Sequence, residues 1–258
     1  MVDEYTRRYT NPPVFEAVIG IEFVPVTMGI MRLAAIAALW EETYPIVQEN
    51  PALPPSVAQG QQEFRFDLAP SGAPVRLWMA TESGEYLIQV QNDRLLLNWR
   101  KRGNGVYPRF EVVRDRFSRV VDDFFAYLAS VGEPPVNVIG TEFTYFNRIE
   151  GDLPASDVVT IFSSSNVVLP GEPLIATYQE VRNLQDMVSG DRGQLSISTE
   201  PAVDSQGARG LHMTITTKFF SDGVESRKQL DQLLTSGHDV SRSAFDALVT
   251  ERVQKEWS

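Results

Sequence analysis

The hexapeptide Val18-Ile19-Gly20-Ile21-Glu22-Phe23 returns as Val138-Ile139-Gly140-Thr141-Glu142-Phe143, 138 minus 18, or 120, positions later. Self-similarity at a fixed spacing constrains a fold more than local propensity does, because it implies that one structural unit is built twice. The same offset, without gaps, relates two later helical patterns. Phe110 falls on Leu230, Val113 on Leu233, Val120 on Val240, Phe125 on Phe245 and Leu128 on Leu248. Gly103 falls on Gly223 ahead of each pattern, and Trp99 on Phe219 at the end of the preceding strand. A hydrophobic register that holds over such a distance argues against chance. The chain therefore reads as two units, residues 1–132 and 133–258, packed as one compact body.

The element order agrees with two units. Val14 to Val24 alternates and is β-branched, which predicts a strand. Gly29 to Val47, rich in Ala and Leu, predicts a helix that Pro45 ends or kinks. Asn50 to Pro55 reads as a connector. Strands fit Gln62–Leu68, Val75–Thr81, Tyr86–Gln91 and Arg94–Arg100, with Ser83-Gly84 and Asn92-Asp93 as hairpin turns. Pro108 opens a helix that runs to about Ser130 with one apolar stripe. The second half predicts a strand at Val136–Ile149, a short helix around Ala155–Phe162, and strands near Leu174–Leu184, Gln194–Thr199 and Leu211–Phe220. A long helix from Glu225 to about Trp257 follows.

This order, β-α-(three or four β)-α twice, predicts an α+β fold. Tandem units would form a curved antiparallel sheet with helices on one face, a TATA-binding-protein-like arrangement. The alternative is a helix-grip fold, a sheet wrapped around one long C-terminal helix.

Composition narrows the chemistry. The chain has no cysteine and only two histidines, His212 and His238, which excludes disulfides, thiolate metal sites and multi-histidine metal sites. The expectation is no metal and no cofactor. Formal charge is -11, spread along the chain, a field that disfavours nucleic acid. The start of the sequence lacks the basic-then-apolar pattern of a signal peptide, and Met28 to Trp40 is too short to span a bilayer, so a cytoplasmic location is expected.

Strand alternation predicts what an uncovered sheet face would display: Glu16, Glu22, Glu63, Arg65, Arg76, Trp78, Arg94, Asn98, Arg100, Glu142, Arg148, His212 and Lys218. The plain reading is a solvated face with charges paired across strands. The sharper reading is a recognition surface, since Trp and Arg are enriched at binding hot spots. Arg102, Tyr107 and Arg109, around the loop Gly103-Asn104-Gly105 and the following helix start, are candidates for an anion or a partner. Glu22 and Glu142, equivalent by the repeat, could approach one another closely enough to share a proton or a cation. No phosphate loop, dinucleotide fingerprint or nucleophile elbow occurs, so no catalytic residue is assigned. Ser163-Ser164-Ser165 reads as a loop. His238 reads as a structural residue at the rim of an apolar stripe, and its neighbour Asp239 as pointing elsewhere on the helix.

Four phrases stand in order along nearly the whole chain. They are Asn11-Pro12-Pro13-Val14-Phe15-Glu16-Ala17-Val18; Asn98-Trp99-Arg100 followed by Tyr107-Pro108-Arg109-Phe110; Tyr145-Phe146-Asn147-Arg148-Ile149; and His238 ahead of Phe245. The set resembles a sporadically distributed, functionally uncharacterised bacterial family of about this length. The resemblance implies no catalytic residue. It implies patchy inheritance, typical of mobile or defence-related gene islands.

The expectation is therefore a non-enzymatic protein that binds a partner encoded nearby, as an accessory component of a defence, immunity or toxin-control cassette. One alternative is a small-molecule-binding protein or enzyme with a pocket between sheet and helices. Another is a nucleic-acid sensor using a local basic patch of Arg100, Arg102 and Arg109. A homo-oligomer is compatible with each.

Overall fold

The computed structural model describes residues 9–54, 75–151, 158–160, 177–185, 192–203, 207 and 209–257. Within them the chain is α+β, with one nine-stranded antiparallel sheet and four helices. The strands are β1 (Val14–Phe23), β2 (Ile46–Pro51), β3 (Val75–Ala80), β4 (Tyr86–Gln91), β5 (Arg94–Arg100), β6 (Val138–Glu150), β7 (Tyr178–Gln185), β8 (Arg192–Val203) and β9 (Arg209–Phe220). The helices are α1 (Ile30–Ala38), α2 (Phe110–Ser130), α3 (Arg227–Leu248) and α4 (Glu251–Gln254). Strand order is β2-β3-β4-β5-β1-β6-β9-β8-β7. None of the described helices is long and apolar enough to cross a membrane.

Period-two alternation builds the core. Met79, Ile88, Leu97, Ile19, Phe143, Thr217 and Leu195 lie abreast across successive strands, and all are buried. Three helices lay their apolar stripes on this row: Leu33 and Ile36 from α1, Val113, Phe117, Val121 and Phe124 from α2, Leu230 and Leu234 from α3. Each buried Leu or Phe contributes roughly 1.5–3 kcal/mol. Phe245, Val249 and Val253 close a second cluster over Ile149, Ile197, Met213 and Ile215. Trp40 donates from Nε1 to Asp123 Oδ2 at 3.0 Å, tying the turn after α1 to α2. The sheet thus carries two long helices on this face, not the single one that a helix-grip arrangement places there.

At the centre of the sheet β1 pairs antiparallel with β6, Ile21 opposite Thr141. On the outer sides Glu22 stands opposite Arg94, and Glu142 opposite Lys218. The glutamates are 120 positions apart, but the cations are 218 minus 94, or 124, apart. The ungapped offset therefore fails for this strand pair. Phe219, opposite Thr141, takes the ladder place of Leu95, opposite Ile21, and does not correspond to Trp99. The paired strands β6 and β9 are also longer, 13 and 12 residues against 10 in β1 and 7 in β5.

Several predicted boundaries move. The first helix stops at Ala38. Pro45 offers no N–H to continue it, and the β-branched pair Ile46-Val47 begins the edge strand β2 against Met79 and Ala80. Asn50 and Pro51 belong to that strand and not to a connector. The last helix stops at Leu248, where Val249 turns extended and bridges Val159, before α4 begins. The strand expected at Gln62–Leu68, with Glu63 and Arg65, lies outside the described residues, as does Ser163-Ser164-Ser165. Of the short helix expected around Ala155–Phe162, only residues 158–160 are described.

Candidate functional site

On β1, β4 and β5 the sheet face away from the helices is not the solvated surface that alternation suggested, whereas on β8 Ser198 and Glu200 are exposed. Val18, Leu87, Leu96, Gln89, Gln91, Arg94 and Asn98 on it are buried. Residues 52–54 run across part of it: Gln91 bonds Leu53 through both ends of its amide, and Arg94 Nη2 donates to Pro54 O at 3.1 Å. Buried polar groups need partners, and here they satisfy one another in a chain. Arg76 donates to Gln89, Gln89 to Asn98, and Asn98 to Glu16, which Arg100 also meets at 3.1 Å. Trp78 lies between the Arg76 and Arg100 guanidiniums, each 5.2 Å from its ring. Burial, then the nearby Arg94, lowers the Arg76 pKa.

Glu22 and Glu142 do meet, and Lys218 stands between them, 3.1 Å from Glu22 Oε1 and 2.8 Å from Glu142 Oε2. Burial opposes the lysine's charge, but Glu142 and Glu22 outweigh it and raise its pKa. Arg94 completes the group, 4.0 Å from Glu22. Farther along, the His212 ring lies 5.3 Å from that of Phe15, tilted by 35°, opposite Arg148 and Glu200. Its pKa is lowered by burial and then by Arg148, with Glu200 opposing. Arg148 itself leans towards Glu150, 3.7 Å away. These predicted face residues divide into separate ion-paired groups and do not converge on a cleft.

The predicted loop residues part company. Arg102 is exposed and donates to Gly84 O at 3.2 Å. Tyr107 and Arg109 line a cavity of about 310 Å³ between sheet and helices, together with Tyr9, Val14, Phe110, Tyr145, His238 and Arg242.

Four separate stretches build this cavity. A bulge in β1, where the pairing shifts between Val14 and Glu16, sets Val14 beside Asn147. Asn147 and Tyr145, two apart on β6, share the face that the helices cover. Phe110 opens α2, and Arg109 before it holds φ 80 and ψ 156, a region that costs a non-glycine residue about 1–3 kcal/mol. Arg109 Nη2 donates to Tyr9 O at 2.8 Å. Tyr9 packs edge-on against Phe245 and Trp257, and its hydroxyl donates to Asp246 at 2.6 Å. Thr10 and Asn11 donate their N–H groups to Trp257 O, so the two ends of the described chain fasten together as the outer wall.

Inside, the Tyr107 and Tyr145 hydroxyls lie 3.1 Å apart, both rings buried. Burial drives both phenol pKa values up, so both stay protonated. One hydroxyl donates to the other. The accepting hydroxyl keeps a proton with no acceptor among the described residues. His238 stacks on Phe110, centroids 4.1 Å apart and planes 11° apart, and its Nδ1 is 2.8 Å from Asp239 Oδ1. The adjacent acid thus reaches the histidine, contrary to the expectation that the two point apart.

Sequence reasoning identified Tyr107 and Arg109 but missed Tyr9, Tyr145, His238 and Arg242 as lining residues. One signal was available: a Tyr and an Asn at i and i+2 of a strand, between the inward apolar residues Phe143 and Ile149. A buried polar residue is the informative exception. No protein-family model matches the chain, and no curated protein matches it.

Proposed function

We propose that the protein binds a small organic molecule in the cavity between the sheet and helices α2 and α3. The observation that carries this reading is the buried Tyr107–Tyr145 pair, with one hydroxyl proton left over inside a cavity of about 310 Å³. Concave, mostly apolar spaces with a few converging polar groups are the usual form of ligand sites. The strained Arg109 at its mouth adds support, because such backbone persists where the surroundings hold it for use. The test is native mass spectrometry of the purified protein, combined with a thermal-shift screen of small metabolites. A bound mass, or a hit whose effect is weakened in the Tyr107→Phe/Tyr145→Phe double variant, is expected. A ligand-free mass and a flat screen would overturn the proposal.

A second reading, a macromolecular partner in a defence, immunity or toxin-control cassette, is favoured by a different feature. Among the described residues β2 is the outermost strand on its side of the sheet, and it exposes Ile46 and Val47, 44% and 48% accessible. An extended segment can add to such an edge. A stable complex with a neighbouring gene's product, lost in Ile46→Lys/Val47→Lys, would support it. Nucleic acid is the weakest reading, since Arg100, Arg102 and Arg109 serve three separate contacts.

We further infer that the chain arose by tandem duplication, in a TATA-binding-protein-like arrangement. The support is the central β1–β6 pair and the outward sequence of strands on either side. A shared inward pattern in α2 and α3 adds to it, Phe110, Val113, Phe117 and Val121 against Leu230, Leu233, Gly237 and Ser241.

A further inference from the structure

Resting on the ligand-site reading, we propose that the cavity takes a planar aromatic monoanion, an aryl carboxylate. Two guanidiniums line the cavity, Arg109 and Arg242, against one lining carboxylate, Glu111, while Asp239 and Asp246, outside the lining, bond His238 and Tyr9. Glu111 is exposed at the mouth. Arg242 is half-buried and makes no hydrogen bond or ion pair among the described residues. A half-buried guanidinium without a partner among the described residues favours an incoming anion, and its planar fork fits a carboxylate through two parallel bonds.

The remaining polar groups agree with that sign. The spare Tyr107–Tyr145 proton is a donor. The first turn of α2 has no side-chain cap, so its leading N–H groups carry the positive end of a 21-residue helix to the same wall. That end alone would signify little, but it converges with a buried donor pair and an unpaired arginine. A single arginine without a partner among the described residues matches a carboxylate better than a dianionic phosphate.

Shape supplies the aromatic half. Tyr9, Phe110, Tyr145 and Phe245 line the space with ring faces and edges, and the Phe110–His238 stack gives it one flat side. Aromatic rings gain from both face and edge contacts. The volume stands at the small end of ligand cavities, room for one ring system and its acid and not for a nucleotide.

The test is a calorimetric titration of the whole protein with benzoate, its neutral isostere benzamide, and phenyl phosphate. Benzoate should bind about tenfold or more tightly than benzamide and than phenyl phosphate. Arg242→Gln should weaken benzoate binding far more than benzamide binding, with a circular-dichroism spectrum like that of the wild type showing that the variant is folded. Equal binding of acid and amide, or tighter binding of phenyl phosphate, would overturn the monoanion assignment while leaving the ligand site standing. If none of the three probes binds and the metabolite screen is also flat, the ligand-site reading itself fails.

Discussion

Arg109 concentrates the cavity's backbone strain in one residue. At φ 80 and ψ 156 any side chain is strained and glycine is not, so replacing the arginine separates backbone from side chain. Arg109→Ala and Arg109→Gly both lose the bond to Tyr9 O. The glycine variant should be the more stable of the two by about 1–3 kcal/mol, read from urea midpoints. His212 offers a second residue-level test. Its folded pKa lies below its ordinary 6.5, lowered by burial and Arg148. The unfolded chain then binds more protons between those two values. Stability is full above pH 6.5 and is lost as pH falls through the folded pKa. His212→Gln should flatten that slope in a series of melts from pH 7.5 to 4.5, and an unchanged slope would refute the assignment. The residues of the cavity show why a site is hard to read from a chain. Positions 9, 107, 145, 238 and 242 meet only through the fold, and each alone looks like a packed aromatic or a solvated cation.

At the scale of elements, what alternation and helical period could determine was legible. β3, β4 and β5 lie where the pattern placed them, within a residue, and α2 fills its predicted span. The failures have local causes. The stretch after Ala38 keeps helix-forming composition, but Pro45 and the β-branched Ile46-Val47 hand it to the sheet edge. The far face was misjudged because alternation says which way a side chain points and not what crosses above it. Here Leu53 and Pro54 do. Strand β8 carries its own test. A Cβ on Gly193 would lie 2.4 Å from Lys218 O and 2.6 Å from Phe219 Cδ1, against backbone that cannot swing aside. Gly193→Ala should therefore destabilise by about 1–3 kcal/mol. Any stabilisation from the alanine's lower chain entropy would mean that β8 and β9 are spaced differently.

At the centre of the sheet β1 meets β6, and a group of poorly exposed charges stands on the outer side of that pair. Lys218 from β9 reaches Glu142 on β6 and Glu22 on β1, so a single ammonium links three strands of the central sheet. The carboxylates are only 11% and 17% exposed, and removing the lysine costs Glu142 its 2.8 Å ion pair while Glu22 keeps Arg94 at 4.0 Å. Stranding a buried charge costs about 3–5 kcal/mol, and the partial exposure here puts Lys218→Met near the lower end. The same change in a Glu22→Gln/Glu142→Gln background should cost much less, since no charge is then stranded, and a thermodynamic cycle reads the difference. The pH response follows from the raised pKa of Lys218, which lies above the ordinary 10.5 because the two glutamates outweigh burial. The lysine's contribution is complete below pH 10.5 and disappears as pH rises through the folded value. Both proteins should lose stability in alkali through the buried tyrosines, whose pKa values are also raised, but wild type should lose it more steeply than Lys218→Met. Parallel alkaline slopes for the two would show that the three strands are held together by their ladders and packing alone.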